Sequence, residues 1–161
     1  MTRNIDLDGV GVLYNNAVAN IRELMKAHLR DEVGIRPNRY YDEDIGNPEA
    51  NSIAIDVVGH SSDIRSWVGL QKRNYVTEIT VNIWYYHEQL NDNTRSVEVK
   101  NIIGRMGQMF LKHNSVNGFC SPLGCYVIGS EYFQRRLGNK IMTGGLVRLV
   151  LRKYHTINNL D

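Results

Sequence analysis

Apolar residues recur at three- and four-residue steps from Val12 to Arg30. Leu13, Ala17, Ile21, Leu24 and Leu29 form the main row, with Tyr14, Val18 and Met25 beside it, and this spacing predicts an amphipathic helix. Lys26, His28 and Arg30 fall late in it, where cations suit the negative end of the helix dipole. Gly34 and Pro37 predict its stop. The polar stretch 35–51 holds Tyr40-Tyr41 and Gly46-Asn47-Pro48 and reads as a short extended piece followed by a turn. Residues 1–11, with Gly9 and Gly11, read as an extended N-terminal arm.

Period-two alternation then takes over. Ile53, Ile55 and Val57 predict a strand over Ser52–Val58, and Ile64–Leu70 a weaker one, with His60-Ser61-Ser62-Asp63 as the connection. The sharpest alternation runs over Val76–Tyr86. Thr77, Ile79, Val81, Ile83 and Tyr85 share one face, and Glu78, Thr80, Asn82, Trp84 and Tyr86 share the other. One face is therefore expected to meet a core and the other water or a partner. Asn91-Asp92-Asn93-Thr94 offers helix caps. A second helix follows to about Lys112, with Val99, Ile102, Ile103, Met106, Met109, Phe110 and His113 on one stripe. Gly104 and Gly107 interrupt it, either where the helix approaches a neighbour closely or as tolerated exposed positions. After a loop over Asn114–Gly124 come a strand at Cys125–Phe133, a basic loop at Gln134–Lys140 and a strand at Leu146–Tyr154. Residues 155–161 read as a flexible C-terminal tail.

Helix, strands, helix, two strands, joined mostly by short turns, predicts an α+β fold. It is a mixed, mostly antiparallel sheet with two helices packed on one face, formed by a single domain over residues 12–154. The 161-residue length suits one domain with a real core. No run approaches the roughly 20 apolar residues of a membrane span, and the first residues lack an apolar signal core. Synthesis in a cytoplasm is expected, that of a bacterial host included. A formal net charge of +2 is too small for non-specific nucleic-acid binding by the whole chain, so any basic function must come from local clusters.

Motifs for chemistry are sparse. No Walker loop, Gly-x-Ser-x-Gly elbow or His-Glu-x-x-His is present, and Gly9-Val10-Gly11 follows no strand. His60-Ser61-Ser62-Asp63 groups catalytic residue types, but neighbours in a turn do not meet the geometry of a nucleophile, its base and an orienting group. Asp42-Glu43-Asp44 lacks the alternating ligands of a cation loop and reads as a solvated loop. Cys120 and Cys125 read as free thiols; with His113 they would make only three metal ligands. No catalytic residue, metal or cofactor is expected.

Surface features stand out instead. Tyr40-Tyr41, Trp67, Trp84-Tyr85-Tyr86 and Tyr132-Phe133 place many amphipathic aromatics at strand ends and on sheet faces, and such residues are enriched at interface centres. Trp84 and Tyr86 fall on the polar side of their strand and are candidate partner contacts. Arg135, Arg136 and Lys140 form one basic cluster and Lys72 and Arg73 another, suited to solvent, to phosphates or to acidic loops of a partner.

In the order of its elements the chain resembles the tail terminator (tail completion) proteins of long-tailed phages and related contractile injection particles. The carriers are the opening helix Ala17–Leu29, the strand Thr77-Glu78-Ile79-Thr80-Val81-Asn82-Ile83-Trp84, the Val97–Phe110 helix and the final Leu146-Val147-Arg148-Leu149-Val150-Leu151. The N-terminal arm and the Cys120–Cys125 loop lie outside what that pattern requires. The resemblance implies a structural virion protein, with no enzymatic activity. It would form a hexameric ring at the head-proximal end of the tail tube, stop tube growth and join the tail to the neck connector. The implied partners are its own copies, the tail tube protein, the sheath of a contractile tail, connector proteins and, weakly, DNA sliding through the lumen; no membrane is involved. A head-closure adaptor of the same virion shares the sketch, and a small ligand-binding or enzymatic domain is the alternative from another class.

Overall fold

The computed structural model describes the backbone of residues 5–68, 72–89, 93–137 and 140–158, and side chains over 11–61, 76–87, 97–136 and 141–154. Helix α1 spans Ile5–His28 and passes without a break into a π-helical turn, Leu29–Val33, closed by Gly34 in the left-handed conformation. The Gly34 N–H donates to the Leu29 carbonyl at 2.8 Å, which satisfies an end group that the wide turn would leave open. The expected extended arm over residues 1–11 is thus corrected from Ile5 onward, with residues 1–4 outside the described ones. Gly9 and Gly11 lower helix propensity by about 1 kcal/mol each without ending a helix that continues for several turns.

Five strands form one sheet: β1 Arg39–Tyr41, β2 Ser52–Val68, β3 Lys72–Gln89, β4 Cys125–Leu137 and β5 Lys140–Asn158, with helix α2 at Asn93–Lys112 between β3 and β4. The order is β1-β2-β3-β5-β4; β1 runs parallel to β2 and the other pairs are antiparallel. Both helices pack on one face, so the α+β architecture stands as read from the sequence. Ala17, Ile21, Leu24 and Met25 of α1 and Val99, Ile103, Met106 and Phe110 of α2 meet Ile55, Val81, Ile83, Val147 and Leu149 of the sheet in a single core. Ile79, Val81, Ile83 and Tyr85 all point inward, as their alternation predicts.

The strands run longer than the sequence suggests. His60–Asp63 is no connection: β2 is continuous, with its irregularities absorbed as bulges at Val57/Gly59 and Ile64/Ser66. The basic loop is likewise a strand hairpin. Arg135 and Arg136 lie on β4, Lys140 opens β5, and only 138–139 between them fall outside the described residues. The expected flexible tail from residue 155 is strand through Asn158, paired with Lys72 at the start of β3. In each case ladder hydrogen bonds to a neighbouring strand satisfy backbone groups whose own side chains are polar, which local periodicity cannot register.

The close-packed glycines are not those of α2. A Cβ on Gly104 or Gly107 would meet nothing within 4 Å. Gly144 and Gly145 of β5 are the tight points. A Cβ on Gly144 would overlap the Tyr85 carbonyl and the Phe133 ring, and one on Gly145 would lie 2.5 Å from Ile103 Cγ1. Gly144→Ala and Gly145→Ala are expected to lower stability by roughly 1–3 kcal/mol through overpacking. Gly104→Ala and Gly107→Ala are expected to raise it by about 0.5–1 kcal/mol. Urea midpoints with unchanged slopes would read these opposite shifts.

Candidate interaction surface

The sheet face away from the helices is built differently at its two ends. At one end the β1–β2 connection folds over it. Ala54, Tyr86 and Met142 are buried there, with Tyr41, Trp84 and Phe133 packed around them. Phe133 pairs across the strands with Gly144, whose missing side chain gives the ring room. Arg135 lies 5.5 Å from the Trp84 and Tyr86 ring centroids and 5.2 Å from that of Phe133. Its guanidinium donates to Asp44 Oδ1 at 3.2 Å and to the Ile45 carbonyl at 3.1 Å. The Tyr86 hydroxyl donates to the same Asp44 carboxylate. Burial first, and then the Asp44 charge, raise the Tyr86 phenol well above its ordinary value, so it remains a neutral donor.

This arrangement corrects the expectation for Tyr86. It is fully buried under its own chain because residues 42–46 return over it, so it offers no contact surface. Trp84 is half-buried, and its Nε1 has no hydrogen-bond partner among the described residues; nor has Asn82 Oδ1, two positions along the same face. Arg135 is spent on the internal clamp, whereas Arg136 is exposed. The side chains of Lys72, Arg73 and Lys140 lie outside the described ones, although their backbone belongs to strands.

The two outer edges carry a feature that the sequence reading missed. Val57, Val81, Leu149 and Val127 form one row across β2, β3, β5 and β4. At each end of that row the outer strand bulges, at Val57/Gly59 on β2 and at Val127/Gly129 on β4. The residues set out by the bulges, Val58 and Ile128, are 59% and 55% exposed. The signal in the sequence was the repeated Val-Val-Gly and Val-Ile-Gly, where a β-branched pair precedes a glycine inside a strand. Among the described residues no strand pairs with either edge there: β1 pairs with Ser52–Ala54 of β2, and β4 ends the sheet.

Groups with chemical potential lie on the helix side. A cleft of about 590 Å³ opens between the π-helical turn, β3 and α2, lined by Arg36, Arg105, Tyr85, His87 and Glu98 among others. The Tyr85 hydroxyl is 2.9 Å from His87 Nδ1 and 3.4 Å from Asn51 Oδ1. His87 Nε2 is 3.6 Å from Glu98 Oε2. Burial and the nearby Glu98 push the Tyr85 phenol up to about 12, so it donates hydrogen bonds and makes a poor nucleophile. His60 bonds through Nδ1 to the Tyr14 hydroxyl at 2.5 Å and ties β2 to α1. Cys120 and Cys125 are free and buried, and burial pushes their thiols up to about 12 and about 11, away from metal-binding thiolates. His113 turns away from both cysteines toward Glu32 and His28. That trio holds three possible ligand atoms within 4.8 Å of one another.

Asp56 sits on the helix-free face, one position beyond the row described above. Burial, then the charges of Asp44 and Glu43, hold its carboxyl above the ordinary value. The folded state binds this proton more tightly than the unfolded chain, so the ionised carboxylate opposes folding. Asp56→Asn is expected to raise Tm at pH 7. The gain should shrink as pH falls through the raised folded value and vanish below about 3.9, where the group is protonated in both states. Thermal melts of both proteins across pH 3–7 would check it.

Set against known proteins, the chain matches no protein-family model and no curated protein.

Proposed function

We propose that this chain is a structural protein whose copies close into a ring, the β2 edge of one sheet meeting the β4 edge of the next. In this reading it caps the head-proximal end of a phage tail, as the tail terminator proteins it resembles do. The observation that carries the proposal is the pair of bulges at opposite ends of one sheet row, each presenting an exposed aliphatic residue, Val58 or Ile128. Sheet edges in monomeric proteins are guarded by charges, proline or a covering loop. Here the residue pushed out at each edge is a bare hydrocarbon. Because the two edges differ, joining them is heterologous, and such contacts generate rings when the rotation closes.

A ring that fits the growing tube on one side and presents a different opposite side stops polymerisation. Tail tube protein, sheath in a contractile tail and connector proteins are then the partners, and the virion neck is the location after assembly in the host cytoplasm. Exposed Arg136, repeated around a ring, supplies weak phosphate contacts through which DNA can slide. A head-closure adaptor would use the same edges. Particles lacking this chain would have overlong tails in the first case, and normal tails detached from filled heads in the second.

One observation favours a different class, a small enzyme or ligand-binding domain: the cleft in which the Tyr85 hydroxyl is hydrogen-bonded to His87, and Glu98 lies 3.6 Å from that ring, beside Arg36 and Arg105. Saturable binding of a small anion there, by a chain that never self-associates, would select that reading.

Native mass spectrometry and light scattering, on the chain alone and on tail tubes, are expected to show one closed oligomer, of six copies. Val58→Lys and Ile128→Lys should each abolish it. Mixing the two variants should give a heterodimer and nothing larger, since each retains one sound edge. A strict monomer under both conditions, or an oligomer indifferent to both substitutions, would sink the proposal.

A further inference from the structure

We infer that His28, Glu32 and His113 form a zinc site that clamps the end of α1 to the end of α2. The residues come from three places: the last residue of α1, the π-helical turn that follows, and the first residue beyond α2. Glu32 Oε2 is 2.7 Å from His113 Nε2 and 3.3 Å from His28 Nδ1. Ligand atoms about 2.0–2.1 Å from a tetrahedral Zn²⁺ stand roughly 3.3 Å apart, so one distance already fits and the other opens by about half an ångström. Two imidazoles and a carboxylate make a borderline donor set that favours Zn²⁺ over the hard cations Mg²⁺ and Ca²⁺.

The surroundings suit a three-ligand site. Lys112 Nζ holds Glu32 Oε1 at 2.9 Å, which fixes the carboxylate and leaves Oε2 turned to both rings, the task of an outer-shell partner. The side chains are 19–35% exposed, which gives an ion a route in and leaves a fourth position for water. The rings stack at 3.8 Å with an interplanar angle of 16°. Both lone pairs cannot meet one ion from parallel planes, so binding turns the His28 ring, the more exposed of the two. The π-helical turn supplies the placement: its wide register sets His28 and Glu32 toward His113, and such turns recur at functional sites.

The inference does not depend on the proposed ring. Its test is titration of the chelator-treated full chain with ZnCl₂, by calorimetry and by competition with a chromophoric zinc indicator. One zinc per chain with micromolar or tighter affinity is expected, together with a Tm raised by about 5–10 °C at a hundredfold excess over Kd. Glu32→Gln and His113→Ala should each weaken binding at least tenfold, and the Cys120→Ser/Cys125→Ser pair should leave it unchanged. Should those variants fail to fold, Co²⁺ loaded into the unaltered chain gives the answer. Intense four-coordinate d–d bands without a thiolate charge-transfer band support the site. No binding at 100 µM zinc, binding indifferent to Glu32→Gln and His113→Ala, or a thiolate band with cobalt would overturn it.

Discussion

Burial of one face of a five-stranded sheet beneath two helices is the interaction on which everything else in this molecule rests. Each large aliphatic residue taken fully from water contributes about 1.5–3 kcal/mol, and the inward rows of β2, β3 and β5 supply many of them. Two helices cover one face only. The opposite face and the outer edges are therefore left to other devices. At one end the β1–β2 connection, Asp44 and Arg135 close a small aromatic cluster. Elsewhere that face carries Asp56, Asn82 and Arg148, and the edges carry Val58 and Ile128.

The alternation that buries Ile79, Val81, Ile83 and Tyr85 was plain in the sequence, as were the stripes of both helices. Such patterns are legible because burial acts on each residue in place. Strand ends were not legible. Over His60–Asp63, Gln134–Leu137 and 155–158 the strand persists through pairing with a partner far along the chain, and no local preference encodes that partner. Tyr86 shows a second limit. Its parity correctly assigned it to the helix-free face, but parity cannot say that residues 42–46 return to cover it.

The candidate sites divide the same way. Trp84 drew attention as a large aromatic on a mostly polar strand face and Arg135 as part of a basic cluster, and the structure uses both to hold its own chain together. The His28–Glu32–His113 trio could not be found from spacing. His28 and Glu32 face His113 through a π-helical turn, and His113 lies 81 positions from Glu32. The paired bulges left a faint trace as two short repeats, whose meaning depends on both falling at the ends of one cross-sheet row.

Those bulges also bear on how the surface can change. An extra residue on each flank of the row, with none in the middle, gives the outer strands more backbone than the inner ones, and the sheet must coil to accommodate it. The arch is thus written in residue count, not in side-chain identity. Point substitutions along either flank can alter its stickiness while its curvature persists. Loss of Val58 or Ile128 would instead bring Val57 and Gly59, or Val127 and Gly129, into consecutive regular pairs, keep every later pairing, and remove the bend with the bulge.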